Sequence, residues 1–100
     1  MAGTDSTADG IVQAVRRRPP APHFRLYLFG SRAAGNAGPR SDYDIGVDAD
    51  GPLALDAVAR LRAELEELPI LQKIDLVDLR SVTEDFRRHA LKGAKLIYEQ

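Results

Sequence analysis

The stretch LYLFGSRAAGNAGPRSDYDIGVD, residues 26–48, constrains the fold more than any other part of this chain. It joins two segments that alternate like β-strands, 23–29 and 42–48, through a glycine-rich loop that begins at Gly30 and Ser31. The first segment, HFRLYLF, is apolar and aromatic, and the glycine ends it abruptly. These features predict two strands of a small sheet, with a tight turn after the first.

Helical patterns flank these strands. Residues 53–68 give the clearest helix, and Asp9 is expected to cap a first helix over residues 10–18. Ser81 begins a sequence typical of a capping box, which predicts a helix over residues 83–92. The apolar stripe of the 53–68 helix consists of Val58, Leu61, Leu65 and Leu68.

A third strand is predicted over residues 73–78, KIDLVD, whereas periodicity leaves the last segment, AKLIYEQ, either a short strand or a helical turn. This order predicts an α/β (α+β) fold, in which helices pack on a small mixed β-sheet. Residues 1–8 are expected to be a flexible tail, and residues 9–100 a single domain. The predicted core consists of Leu26, Leu28, Ile45, Val47, Val58, Leu61, Leu65, Ile74, Leu76 and Phe86.

The composition excludes several classes of protein. The net charge of −1 argues against a mainly electrostatic grip on nucleic acid, and no nucleic-acid-binding module is recognised. The chain has no cysteine, which excludes disulfides and thiolate metal sites and favours the cytoplasm. No apolar run approaches the roughly 20 residues of a membrane span. His23 and His89 are not spaced as zinc ligands.

Two aspartates carry the strongest chemical signal. In a strand over residues 42–48, Asp42 and Asp44 point to the same side, roughly 7 Å apart at their bases. Like charges at this distance repel, and a divalent cation such as Mg²⁺, which prefers oxygen ligands, would relieve that repulsion. The alternative is an exposed edge strand whose acidic side chains discourage aggregation.

A metal site of this type needs a third carboxylate. Asp75 lies between Ile74 and Leu76 on the third predicted strand and points away from them, so side-chain parity favours it over Asp78. Asp48 shares the face of the first two aspartates but lies further along the strand, and a turn-forming role is expected for it.

The glycine turn suits a phosphate group. Gly30 permits a close backbone approach to a ligand, and Ser31 adds a hydroxyl and a backbone N–H. Arg32 provides a cation for a triphosphate, or else it points to water. A Gly-Ser pair is a weak signal on its own.

In combination these features are more specific. Gly30-Ser31, ten intervening residues, Asp42-x-Asp44 and a later strand aspartate resemble the signature of the DNA polymerase β-like nucleotidyltransferase superfamily. The sequence GSRAAG…SDYDIGV is similar to its minimal nucleotidyltransferases, and the likeness runs from the first helix to LIYE. The family often has arginine at the position of Ala34, so this chain lacks one basic group near the turn.

The resemblance implies a polymerase β-like nucleotidyltransferase fold and a set of residue roles. Gly30, Ser31 and Arg32 would bind the nucleotide. Three aspartates would be catalytic and would hold two Mg²⁺ ions, with ATP as the substrate; they are Asp42, Asp44 and Asp75.

The resemblance also implies a partner. Minimal nucleotidyltransferases commonly act as antitoxins of the MntA type beside a small all-helical HEPN protein, and they transfer AMP from ATP to a tyrosine of that ribonuclease. Two alternatives stay open: a non-catalytic module that neutralises its partner by occlusion, and a nucleotidyltransferase for a small molecule. The lack of an acceptor-binding domain disfavours the second, and a homo-oligomer also stays open.

Overall fold

The computed structural model describes residues 6–100, which form a four-stranded sheet and four helices. Each of the three predicted strands is present to within one residue, and the ambiguous last segment forms a strand. In chain order the elements are α1 (Ser6–Arg17), β1 (Phe24–Phe29), α2 (Ser31–Ala34), β2 (Tyr43–Ala49), α3 (Leu55–Glu66), β3 (Ile74–Asp78), α4 (Glu84–Leu91) and β4 (Lys95–Glu99).

The first helix begins earlier than predicted. Helix α1 starts at Ser6, so Asp9 lies in its first turn, and the prediction that Asp9 precedes and caps the helix is wrong. Of the predicted tail over residues 1–8, residues 6–8 are helical and residues 1–5 lie outside the described part of the chain. None of the helices described is long and apolar enough to cross a membrane.

The sheet is mixed, which confirms the predicted fold class. Its strand order is β3-β2-β1-β4. Strand β1 runs antiparallel to both of its neighbours, whereas β2 and β3 are parallel and are joined through α3. The carboxyl end of β1 therefore meets the amino ends of β2 and β3 at one end of the sheet, which we call the site end.

The core lies on the sheet face that α1 and α3 cover. Every second residue of β2, from Tyr43 to Ala49, is buried there, and Gly46 and Asp48 are buried on the opposite face. The predicted helix stripe is confirmed for the residues within α3, and Leu28 and Ile74 are only partly buried against the core. The buried core consists of Ile11, Ala14, Val15, Phe24, Leu26, Tyr43, Ile45, Val47, Ala49, Val58, Leu61, Leu65 and Leu76.

Helix α4 packs on the opposite face of the sheet. Phe86 contacts Phe29 edge to face, with ring centroids 6.4 Å apart, but it stays 44% exposed, so its assignment to the core is wrong. Leu79 is fully buried above Gly46. A Cβ on that glycine would lie 2.8 Å from Leu79 Cδ1, so the close packing needs a residue without a side chain.

Asp48 corrects a further expectation. It is not a turn residue but a buried residue within β2, 8% exposed. Its carboxylate accepts hydrogen bonds from Arg80 at 2.9 Å and from Arg87 of α4 at 3.0 Å. The two arginine charges neutralise the buried carboxylate, and the bond from Arg87 holds α4 against the sheet.

Candidate active site

Gly30 brings the end of β1 against the start of β2. It has φ 74° and ψ −152°, a combination that is essentially restricted to glycine. Phe29 pairs with Asp44 in the antiparallel register, so the turn falls beside that aspartate. A Cβ on Gly30 would overlap the Asp44 carboxylate. Glycine is therefore required both by the backbone conformation and by the space.

The structure brings the three predicted carboxylates to the site end. Asp44 of β2 pairs directly with Asp75 of β3 in the parallel register, which places their backbones about 4.8 Å apart. Asp42 lies one residue before β2 and, by strand alternation, on the same side as Asp44. Asp44 is partly buried, and Asp42 and Asp75 are exposed.

The closeness of these groups shows in their electrostatics. Burial raises the pKa of the Asp44 carboxyl above its ordinary value, and the charges of Asp75 and Asp42 raise this pKa further. None of the ion pairs within residues 6–100 includes any of the three. The carboxylates therefore form a concentration of negative charge without a basic partner in the described part of the chain.

Their chemistry suits Mg²⁺, although they do not form a complete metal cage. Across residues 6–100, no three His, Cys, Asp or Glu side chains are arranged so that they could hold a metal ion by themselves. Mg²⁺ keeps several waters and is commonly bound by one or two carboxylates together with substrate phosphates. The oxygen donors and the mutual repulsion at Asp44 fit a cation that a nucleotide brings with it.

Asp78 is occupied elsewhere. Its carboxylate accepts hydrogen bonds from the Leu53 backbone N–H at 2.8 Å, the Arg80 N–H at 3.0 Å and the Ser81 hydroxyl at 2.7 Å. These contacts fix the loop before α3 and the loop after β3. They leave Asp75 as the β3 carboxylate that is open to a ligand.

Arg32, predicted to contact the nucleotide, holds the loop before β2. Its guanidinium donates to the Ser41 carbonyl at 2.9 Å and lies 3.9 Å from the centre of the Tyr43 ring. These contacts engage the guanidinium with the loop backbone and with a buried ring of the core. The side chain orders the loop that carries Asp42, and direct contact with a nucleotide stays a prediction.

A cavity of about 350 Å³ adjoins the glycine turn, between α2 and α4. It extends from Gly30 and Ala34 to Phe86, His89 and Lys92. None of Phe86, His89 and Lys92 was predicted from the sequence as a site residue. The signal was present in the spacing, because Phe86 and His89 are three residues apart and so share a helix face with Ala90.

Comparisons with known proteins identify the family of this chain. The family model described as Polymerase beta, Nucleotidyltransferase matches residues 20–100. The Haemophilus influenzae protein named "Probable protein adenylyltransferase MntA" is 33% identical over 79 residues, which cover 79% of this chain and 69% of that protein.

Two solved structures share the fold. One is a crystal structure of a toxin–antitoxin with AMP-PNP, in which the matching chain superposes with a TM-score of 0.76 at 29% identity, over 93% of this chain and 73% of that one. The other is the tri-AMPylated Shewanella oneidensis HEPN toxin in complex with MNT antitoxin, with a TM-score of 0.71 at 26% identity, over 95% and 71% of the two chains. The fold, the glycine turn, the paired aspartates and the matched model together place this chain in the polymerase beta nucleotidyltransferase family, with MntA and MNT antitoxins among its relatives.

Proposed function

We propose that this protein is an antitoxin that transfers AMP from ATP to a hydroxyl group of a HEPN-type toxin, with a tyrosine as the expected acceptor. The observation that carries the proposal is the direct pairing of Asp44 with Asp75, beside a glycine turn that leaves no room for a side chain. The relatives named as an adenylyltransferase and as the antitoxin of an AMPylated toxin support it.

The nucleotide would lie across the glycine turn. Gly30 lets the phosphates approach the backbone, and Ser31 offers its hydroxyl to a phosphate oxygen. Asp42, Asp44 and Asp75 would hold Mg²⁺. When bound, Mg²⁺ supplies positive charge for the triphosphate and lowers the pKa of the attacking hydroxyl. The raised pKa of Asp44 supports this arrangement, since its charge is disfavoured until a cation balances it.

The reaction is a displacement at the α-phosphate. The acceptor oxygen forms a bond to the α-phosphorus, the bond from that phosphorus to the bridging oxygen breaks, and pyrophosphate leaves. Asp75 is exposed on β3, an outer strand of the sheet, so an acceptor can reach it from that edge. Its carboxylate would take the proton of the attacking hydroxyl.

The test uses ATP labelled at the α-phosphate, Mg²⁺ and a purified HEPN-type toxin as the acceptor. We expect label on the toxin, and a loss of at least about 100-fold for Asp42→Asn and for Asp44→Asn, since each removes a charge that the transition state needs. Asp56→Asn, an exposed change on α3, is the matched control and should retain activity.

Three outcomes separate the candidate functions. Transfer of label by the wild type and not by the two site variants supports the proposal. Full activity in both variants would refute the site assignment. Inhibition of the toxin without ATP and without covalent label would favour the second candidate, neutralisation by occlusion.

A further inference from the structure

The cavity between α2 and α4 has the features of a small-molecule site. Its volume, about 350 Å³, falls in the range of ligand pockets, which is about 300–1,000 Å³. It shares Gly30 with the carboxylate site, because this glycine adjoins the Asp44 carboxylate and also lines the cavity. A ligand in the cavity would therefore lie next to groups bound at the aspartates.

The walls of the cavity are mainly apolar and aromatic. Phe86 and Phe29 stand edge to face at one side, and Ala34 lies on α2 at the other. Phe86 is a large apolar side chain that stays 44% exposed. The next residue of the same helix, Arg87, is bonded to Asp48 of the sheet. Pockets for small molecules are lined mainly by hydrophobic and aromatic side chains of this kind.

The rim of the cavity is basic. His89 and Lys92 line it from the last turn of α4 and the residue that follows, and none of the residues of the described chain that line it is acidic. Arg32 does not contribute, since its guanidinium is held by the loop before β2. Aromatic walls with a cationic edge suit a ligand that has both a flat ring and negative charge.

We infer that this cavity seats the base of the bound nucleotide, with Lys92 and His89 beside its phosphates. The inference rests on the proposed function, because the phosphates must lie at the glycine turn. A neutral tyrosine ring of the acceptor is the other aromatic group in the reaction. It would leave the cationic rim without a counter-charge, whereas a nucleotide matches both parts of the cavity.

The test separates binding of the base from binding of the phosphates. Calorimetry with Mg²⁺ measures the Kd of AMP-PNP and of inorganic tripolyphosphate, which has no base. Phe86→Ala should weaken AMP-PNP binding by about tenfold, the usual effect of removing one stacked aromatic side chain, and leave tripolyphosphate binding unchanged. Lys92→Ala should weaken both, because both ligands carry the phosphate charge.

Matched variants guard against a general loss of structure. Leu55→Ala removes another exposed large apolar side chain, far along the chain on α3, and should leave both Kd values unchanged. Phe86→Tyr keeps the ring and should bind AMP-PNP like the wild type. Ala34→Leu fills the cavity from the opposite wall without altering Phe86, so it should also weaken AMP-PNP and spare tripolyphosphate.

The outcomes distinguish this inference from the proposed function. Phe86→Ala should raise the KM for ATP in toxin labelling, whereas Leu55→Ala, on α3, should label the toxin at the wild-type rate. An unchanged Kd for AMP-PNP in Phe86→Ala and Ala34→Leu would overturn the inference alone. If these two variants instead raise the KM for the toxin and leave the Kd for AMP-PNP unchanged, the cavity belongs to the acceptor, and the inference is overturned. A wild type that neither binds AMP-PNP nor transfers label would refute the proposed function, and the inference with it.

Discussion

At the scale of single residues, Gly30 carries two constraints that act together. Its backbone has a positive φ of 74° with ψ −152°, and its missing side chain leaves the space that the Asp44 carboxylate occupies. Gly35 shares only the first constraint, because it has φ 82° and nothing lies within 4 Å of an added Cβ. Substitutions at the two glycines therefore distinguish the effect of backbone strain from the effect of contact with the Asp44 carboxylate.

We expect Gly30→Ala to abolish AMP transfer and to destabilise the fold by about 1–3 kcal/mol, the usual cost of a non-glycine residue in this region of backbone space. The added Cβ would displace the Asp44 carboxylate from its place beside Asp75. Measurement of transfer and of thermal unfolding checks both effects. Gly35→Ala is the control, with a cost of about 1–2 kcal/mol and near wild-type transfer. Equal transfer rates in the two variants would show that the contact with Asp44 is unimportant.

Sequence parity placed the β2 aspartates on one face, but the turn-forming role expected for Asp48 was wrong. It predicted that Asp42 and Asp44 share a face and that Asp75 belongs with them, since alternation along a strand is a local property. It also placed Asp48 on this face, but it could not show that α4 covers the far end of β2. Burial of Asp48 depends on Arg80 and Arg87, which are more than thirty residues away in sequence.

At the scale of elements, α4 depends on a buried ion-pair cluster formed by Asp48, Arg80 and Arg87. The Asp48 side chain is 7% exposed and that of Arg87 is 20% exposed, so water screens their attraction poorly. The hydrogen bond with Asp48 and its charge raise the pKa of the Arg87 guanidinium above an already high value. This cluster fixes the position of α4, and therefore of Phe86 at the cavity wall.

We expect Asp48→Asn to destabilise the protein by about 1.5–3 kcal/mol, because it removes the charge that accepts hydrogen bonds from Arg80 and Arg87, whose side chains are themselves partly exposed. That loss lowers Tm by roughly 4–8 °C per kcal/mol in a domain of this size. Thermal unfolding followed by circular dichroism measures it. Asp56→Asn breaks an exposed pair with Arg60 and should cost less than about 1 kcal/mol. Similar Tm values for the two variants would mean that the cluster is not structurally important.

Element types were more predictable than element contacts. Alternation identified β1, β2 and β3, and the apolar stripe identified α3, because these patterns repeat within one element. The β4 segment was ambiguous, since its five residues become a strand only through pairing with β1. Phe86 was assigned to the core because apolar residues usually are buried, but the cavity beside Gly30 leaves its ring open to solvent.

At the scale of the whole molecule, the sheet and its helices gather the candidate site at one end. The turn after β1, the start of β2 and the edge strand β3 meet there, and α4 closes one side. The three carboxylates are close to each other and unpaired within residues 6–100, so the free protein carries a repulsion that ligand binding can relieve. Stability and nucleotide binding should therefore be linked.

We expect Mg²⁺ together with AMP-PNP to raise Tm by on the order of 10 °C at about 100 times the Kd, because binding to the folded state alone contributes about 2.7 kcal/mol there. Either component alone should give a smaller shift, since the carboxylates and the phosphates repel each other without the metal. EDTA should remove the effect, and so should the Asp42→Asn/Asp44→Asn double variant, whereas Asp56→Asn should keep it. A shift of the same size in EDTA would show that nucleotide binding does not require the metal, and a shift retained in the double variant would show that these aspartates do not hold it.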